Sequence, residues 1–422
     1  MPVIETALSE IPKRRARRAW ALTAWANHGF ATTVLVGFFP IFLGKYWAAD
    51  LPATRSTLYL GLANSSASLV VMLLAPWLGA YADRRGQKKL WLGIFTCIGV
   101  AATAMLAAIG RGEWQWALPV FAVASVGFFA GSSFQDALIV QVATPAEAHR
   151  VSAYGFAAGY LGGGLLLLLN VLLALHPGWF GVRDGVAATR IAFLDVAIWW
   201  ALFTLPLFRH VPEAAPTAEA PGWAELWGTI RKVLSDRTVR GFLFAYWLYI
   251  DGIGTLQQMA VDFGSKLGLP TSALIQALLL VQFISFPSAL VFGRLGDRIG
   301  ARRAILIGLA VFVFVSVWAL FLHSTWQFYA MAVMVGTVQG GVQSLSRSLY
   351  SKLIPRERSG EYFGFYNMLG KFAAVLGPVL VGVMATLSGS SRVGVSSLML
   401  LFGAGAALLW RVRVLEPAAV RS

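Results

Sequence analysis

Charge is scarce in this chain. Only 13% of its 422 residues are Asp, Glu, Lys or Arg, about half the share usual in soluble domains, so a charged, water-facing surface cannot be spread over most of it. Cysteine is scarcer still. Cys97 stands alone inside an apolar run, which excludes a disulfide framework and a cysteine metal cluster and leaves the redox compartment undetermined. His28, His149, His176, His210 and His323 fall at no ligand spacing, so no metal site is expected. Also missing are a phosphate-cradling G-x-x-x-x-G-K-[ST] loop, H-E-x-x-H, G-x-S-x-G and a dinucleotide fingerprint. No catalytic residue and no cofactor is assigned, and enzymatic activity is not expected. Without a nucleotide-binding domain, any work the chain performs draws on an ion or substrate gradient and not on ATP.

What is plentiful is apolar. Hydrophobic residues make up 58% of the chain, with 28 Phe and 16 Trp, more large rings than one aqueous core of this size would bury. Lipid is the simpler solvent for them. A helix rises 1.5 Å per residue and the hydrocarbon core is about 30 Å thick, so a span takes about 20 mainly apolar residues. Such segments lie near 20–43, 57–80, 90–109, 115–140, 152–175 and 190–208, then near 240–262, 272–293, 303–322, 326–349, 361–385 and 394–412. The expected fold is an all-α membrane protein of twelve transmembrane helices, six on each side of a polar interval.

The formal net charge of +15 would ordinarily raise nucleic acid as a partner. Here the basic residues sit in short groups between apolar runs and no single basic face collects them, so no nucleic acid is expected. The richest groups, KRRARR at Lys13 to Arg18, Arg84 to Lys89, Arg298 to Arg303 and Arg356 to Arg358, all fall on one side when spans alternate. The positive-inside rule makes that side cytoplasmic and places both termini there, in a multi-pass protein of the cell membrane. No small-residue cleavage site closely follows the first apolar stretch, which reads as a retained helix and not a signal peptide.

The polar interval contains VPEAAPTAEAPG at Val211 to Gly222, a flexible connector by composition. WAELWGTIRKVLSD at Trp223 to Asp236 reads as a short amphipathic helix on the inner membrane surface, or equally as an ordinary linker helix. The expected organisation is an N-terminal six-helix bundle over 1–208, a cytoplasmic linker over 209–238 and a C-terminal six-helix bundle over 239–422.

One motif occurs twice. In GAYADRRGQKK, Gly79, Asp83, Arg84, Gly86 and Lys89 precede Gly293, Asp297, Arg298, Gly300 and Arg303 of GRLGDRIGARR at one constant offset. Both copies fall between the second and third span of their half, so the halves are repeats in the same order, related by a pseudo-twofold axis. The glycines suit a very short loop. Asp83 and Asp297 lie just before a helix start, where a carboxylate caps amides. Lys88, Lys89, Arg302 and Arg303 are read as holding the loop inside.

This doubled G-x-x-x-D-R-x-G-x-[KR] loop on a six-plus-six plan resembles the signature of the major facilitator superfamily. The resemblance implies two bundles that alternate between inward- and outward-open states, with Asp83, Arg84, Asp297 and Arg298 in a cytoplasmic gate latch. Further stretches resemble the branch that groups bacterial proteins of undefined substrate with the fungal vacuolar amino-acid effluxer: WANHGFATTVLVGFFPIF (Trp25 to Phe42), GYLGGG (Gly159 to Gly164), YIDGIGTLQQMAVDFG (Tyr249 to Gly264), QGGVQSLSRSLYSKLIP (Gln339 to Pro355) and EYFGFYNMLGKFAAVLGP (Glu361 to Pro378). Related proteins tend to open with Asp-Trp-Ala-Asn-Ser, where this chain has Ala24, Trp25, Ala26, Asn27 and His28. A carboxylate is lost and an imidazole gained, which leaves an inherited coupling mechanism open.

Ionisable and amide groups inside a bilayer are costly unless they face a bundle interior or a water path. Asp251, beside Gly252 and Gly254 deep in span seven, is the first candidate for substrate or ion. Lys371, similarly deep in span eleven, belongs to the same set or simply pairs with Asp251. His28, next to Asn27, carries an imidazole, a group able to accept a proton, so proton coupling through His28, Asp251 or both is a hypothesis, and interhelical glue the alternative. Gln257, Gln339 and Gln343 offer neutral donors and acceptors; Gln339, Gln343 and Arg347 share one helix face. Asp136 and Arg347 lie near the inner ends of their spans and suit a gate. The expected function is secondary transport of a small metabolite, amino acids among the candidates, with protons as a candidate partner and membrane lipid as surroundings. A receptor or scaffold retaining the fold is the alternative.

Overall fold

The computed structural model describes residues 2–216, 231 and 235–412. The amphipathic helix expected over 223–236 falls outside them apart from Arg231, Ser235 and Asp236. All regular structure among the described residues is helical, as a bilayer requires when every backbone group must find its partner within the segment.

The first span starts well before its apolar run, because the basic N-terminal stretch joins helix Pro2–Gly29. It then widens into π-helix at Phe30–Phe38, returns to α at Phe39–Phe42 and widens again at Leu43–Trp47. Spans two to six are Ala53–Arg85, Lys88–Leu106, Trp114–Ala137 with a short continuation Ile139–Val142, Ala148–Leu175 and Gly185–His210. Spans seven to twelve are Arg237–Lys266, Thr271–Ile299, Ala301–Trp318, Thr325–Leu353, Ser359–Ser388 and the pair Ser391–Ser396 and Leu398–Arg411. Nine of the described helices are long and apolar enough to cross a membrane. The other three expected crossings, spans seven, ten and eleven, are the ones that carry Asp251 and Gln257, Gln339 and Gln343, and Lys371.

The two short motif loops turn on glycine in both copies: Gly86 has φ +61° and Gly300 φ +88°, a region L side chains avoid. Lipid-facing stripes are plain. Leu58, Leu62, Leu69 and Leu73 are exposed along span two at helical spacing, as are Ile198, Leu202 and Leu205 along span six.

The chain forms two compact units. One takes Met1–Val142, Ala158–Ala220 and Ser359–Asn367; the other takes Ala143–Ala157, Pro221–Arg358 and Met368–Ser422. Within the first, span one packs on six, two on four, three on four and three on six. Within the second, seven packs on twelve, eight on ten, nine on ten and nine on twelve, the same neighbours shifted by six. The beginning of span five belongs to the second unit and the beginning of span eleven to the first. Aromatic packing anchors the first unit: Phe39 stacks on Phe121 with centroids 3.8 Å apart, and Trp47 on Phe193 at 5.7 Å, inside a buried cluster with Phe30, Phe42 and Trp200.

Candidate functional site

In the first unit the motif loop is built around the start of span eleven. Asp83 Oδ1 accepts from the Gly360 amide at 2.9 Å and Oδ2 from the Glu361 amide at 2.8 Å, while Lys88 Nζ lies 2.6 Å from Oδ1. Asp83 and Lys88 are 6% and 2% exposed, so this is a buried pair whose carboxylate also meets the positive end of a helix dipole. The expectation that Asp83 caps its own following helix needs correction: span three has Gln87 at its N-cap with no side-chain bond, and the aspartate caps span eleven instead. Lys88 is no mere topology marker either, since it neutralises that carboxylate.

The close approach that allows this is made by small residues. A Cβ on Gly79 would strike the Gly360 carbonyl, one on Gly360 the Gly79 oxygen, and one on Gly364 the backbone of Ala75 and Pro76, so spans two and eleven meet backbone to backbone. Asp136, on span four, joins the same segment by accepting from Asn367 Nδ2 at 3.3 Å, and Ser133 Oγ donates to the Phe363 carbonyl at 3.4 Å. Arg84 is half-buried beside Asp83, and Arg298 is exposed.

Two further basic residues of the motif clamp helices inside their own half. Lys89 Nζ donates to the carbonyls of Phe208 and Val211 at 3.2 and 2.9 Å, and Arg302 Nη1 to that of Val412 at 2.7 Å. A cation at a helix C-terminus satisfies carbonyls that have no intrahelical partner, which corrects their reading as charges that only hold the loop inside. Glu213 accepts from the Lys89 amide at 2.9 Å, which fastens the start of the connector to span three. Burial raises the Glu213 carboxyl above its usual range, against the lowering effect of the Lys89 amide and charge.

The second copy departs from the first. Asp297 Oδ2 takes Arg150 Nε at 2.5 Å, a side chain where Asp83 takes amides; span nine has Gly300 at its N-cap and no side-chain bond, so Asp297 does not cap its own helix either. Around it the start of span five is stitched to span ten. Arg347, 4% exposed, donates through Nε to Ser152 Oγ and through Nη2 to the Ser152 carbonyl, both at 2.9 Å, and sits 4.3 Å from the Phe156 ring centroid. Ser152 Oγ in turn donates to the Ser344 carbonyl at 2.7 Å.

Asp251 is 1% exposed on span seven. Its Oδ2 accepts from the backbone amide of Gly377 at 2.7 Å and its Oδ1 from Thr255 Oγ1 at 3.4 Å. The amide lies in the middle of span eleven, next to Pro378, whose ring supplies no N–H. A Cβ on Gly377 would meet Thr255 Oγ1 and Asp251 Oδ1, so the glycine is what lets the carboxylate reach the main chain. The Lys371 side chain lies outside the described residues. Gln339 is buried, and Gln257 and Gln343 are half-buried.

Asn27 and His28 belong to the first unit. Asn27 Nδ2 donates to Gln135 Oε1 at 2.7 Å, and Trp20 Nε1 to the Gln135 carbonyl at 2.8 Å, which ties span one to span four. Asn27→Ala leaves the buried Gln135 oxygen without its donor and is expected to destabilise the protein by about 1–3 kcal/mol; thermal unfolding in detergent checks this, and an unchanged midpoint contradicts it. The His28 ring fills the space left by Gly159 of span five, 5.3 Å from the Tyr160 ring, and Thr32 Oγ1 reaches both the His28 and Gly163 carbonyls at 2.8 and 3.2 Å. The π-helix begins two residues later.

The sequence-derived candidates thus separate. Asp83 and Asp136 converge on 359–367, Asp297 and Arg347 on 143–157, Asp251 stands with Gly377, and Asn27 and His28 bind spans four and five. Sequence reasoning missed Gln135, His149, Ser152 and Asn367, polar residues inside or at the ends of spans. The one available signal was a side-chain amide, imidazole or hydroxyl where an apolar residue would serve.

Comparison with known proteins adds to this geometry. The family model described as vacuole effluxer Atg22 like matches residues 53–417. The uncharacterized MFS-type transporter YxiO of Bacillus subtilis is 36% identical over 403 residues, 94% of each chain. Autophagy-related protein 22 of Yarrowia lipolytica is 27% identical over 311 residues, covering 63% of this chain and 51% of its own length. This chain therefore spans about half of that fungal relative. Among solved structures, the human organic anion transporter MFSD10 superposes with a TM-score of 0.73 at 16% identity, over 94% of this chain and 99% of its own. FucP in the outward conformation gives 0.74 at 12%, over 96% and 99%. Identities this low speak for the fold alone.

Proposed function

Because the chain belongs to the Atg22-like branch of the major facilitator superfamily, and is with it a membrane transporter, we propose that it moves a small metabolite across the membrane by alternating access, driven by a proton gradient. Export is the direction that the family description suggests, and amino acids are the first substrate class to test. The positive-inside pattern supports a cytoplasmic location for both termini and for the motif loops, which makes the Asp83 cluster and the Arg347 seam the two inner gates.

The observation that carries the proposal is the Asp251 carboxylate, buried in span seven and held by the Gly377 amide beside Pro378. A carboxylate in that position is expensive unless it exchanges a proton or cation with a pathway. Its binding to a helix interrupted by Pro378 gives protonation a mechanical consequence, since a neutral acid accepts from an amide less strongly than a carboxylate does. His28 and Asn27 on span one, with Gln257, Gln339, Gln343 and Lys371, are the proposed substrate contacts.

Proteoliposomes holding the purified protein test this with a metabolite panel under an imposed pH gradient. Flux of one class, accelerated by the gradient, is the expected result. Asp251→Asn keeps an oxygen for the Gly377 amide but cannot titrate, so it is expected to leave exchange of substrate across a symmetrical membrane and abolish the response to the gradient. A gradient response that survives in Asp251→Asn removes Asp251 from coupling, and a wild-type flux indifferent to pH removes the proton.

A further inference from the structure

One group in the second unit is used by none of the functions above. His149, 3% exposed at the start of span five, is gripped from both ring nitrogens by span ten: Nδ1 lies 2.8 Å from Ser348 Oγ and Nε2 lies 2.7 Å from Lys352 Nζ. An ammonium has only donors to offer, so at this distance Nε2 presents its lone pair. The proton is then on Nδ1, and Ser348 Oγ receives it. Ser348 Oγ passes its own hydrogen to the Leu345 carbonyl at 3.0 Å, so the chain Lys352, His149, Ser348, Leu345 runs in one direction with every step satisfied.

A second proton on His149 has nowhere to go in this arrangement. It would sit on Nε2, facing the ammonium donor, and would turn the contact into two cations at hydrogen-bonding distance. The other charges nearby do not rescue it. On its own element, Arg150 adds a further cation and is held by Asp297 Oδ2, and Glu147 is engaged with Thr144. From span eight, Gly296 packs against the ring, with a Cβ there 3.6 Å from His149 Cγ; its charged neighbours are Arg294 and Arg298, both exposed, and Asp297, already paired. From span ten, Arg347 is committed to Ser152. Beyond it, Arg356 Nη2 donates to the Ala143 carbonyl at 3.1 Å. The surroundings are thus a surplus of cations and two carboxylates, Glu147 and Asp297, each already engaged.

We infer that His149 is a proton-responsive clasp: neutral, it holds the start of span five to span ten through Lys352 and Ser348, and protonated, it releases that seam. The inference rests on the cytoplasmic gate assigned above only for its consequence in transport, because the clasp itself is a property of residues 143–157 and 325–353.

Hydrogen–deuterium exchange on the full chain in lipid nanodiscs tests it without any substrate, so its failure would leave the transport reading untouched. Amide exchange over 148–157, divided by the intrinsic rate at each pH, is expected to be on the order of tenfold faster at about pH 5.5 than at about pH 7.5, across the range where an imidazole charges. Segment 359–367, in the other unit, is expected to keep its rate. His149→Gln, whose amide oxygen accepts from Lys352 without titrating, should hold 148–157 slow at both pH values. Burial of the ring also opposes its charge and outlasts the loss of the lysine, so Lys352→Met, which removes only the opposing cation, should weaken the response, and it serves as the second measure if the glutamine variant does not fold. A wild-type ratio near one, an equal acceleration of 359–367, a pH response that persists in His149→Gln, or one undiminished in Lys352→Met would overturn the clasp.

Discussion

Asp83→Ala is expected to destabilise the detergent-solubilised protein by about 3–5 kcal/mol, the loss typical when one member of a buried ion pair is removed. The reason is what stays behind. Lys88 is 2% exposed, and its ammonium would be left in place without its counter-charge; the Gly360 and Glu361 amides would lose their acceptor in the same step. The two losses separate in a double variant. Asp83→Leu with Lys88→Met removes both charges, leaves only the uncapped amides, and is expected to recover all but about 1 kcal/mol, the usual worth of a helix N-cap. Thermal unfolding of the wild type and these variants, with amide exchange over 359–367, measures both. If the double variant is as unstable as the single one, the charge of Lys88 is not what Asp83 balances.

Gly79→Val is expected to have an effect of similar size for a steric reason. The new Cβ would fall on the carbonyl of Gly360 and the amide of Glu361, main-chain atoms that cannot rotate away as a side chain would. Overpacking ordinarily costs about 1–3 kcal/mol and exceeds that when the backbone itself has to move. Span two supplies its own control. Gly61, on the same helix, has open space where a Cβ would go, with nothing within 4 Å, so Gly61→Val carries the same change in helix propensity without the collision and is expected to be nearly neutral. Equal losses in the two variants would mean that the substitution acts through helix propensity, and the close contact at Gly79 would carry no energetic weight.

Much of the fold is legible in the sequence, because a bilayer constrains a sequence more than water does. Twelve apolar segments, the doubled motif at a constant offset and the Gly86 and Gly300 turns all have signatures in residue type alone. The failures share a cause. Asp83 reads as a cap for the helix next to it, since local capping is what a sequence displays; its actual partner is far along the chain, where only the folded backbone brings Gly360 near. Lys88 reads as a topology signal because a loop lysine beside an arginine pair looks like one, and its burial depends on span eleven arriving. His149 enters the sequence reading only as one of five histidines at no ligand spacing. The π-helical stretches leave no mark at all: FATTVLVGF has the same apolar pattern an α-helix would show, and its contacts with span six, and with span five through Thr32 and Gly163, are long-range ones that no local rule encodes.

The glycine contacts between spans two and eleven have an entropic side. When long side chains interdigitate, each must give up rotamers as the surfaces join, at up to about 2 kcal/mol apiece. Gly79, Gly360 and Gly364 have no rotamers to surrender, so this seam forms at almost no cost in side-chain freedom, and under the alternating access proposed above it would part and re-form as cheaply. Lipid offers no hydrophobic push to drive such a meeting, which leaves the attraction of one carboxylate for two amides, with the Asp136 and Ser133 hydrogen bonds beside it, to decide how firmly the surfaces hold together.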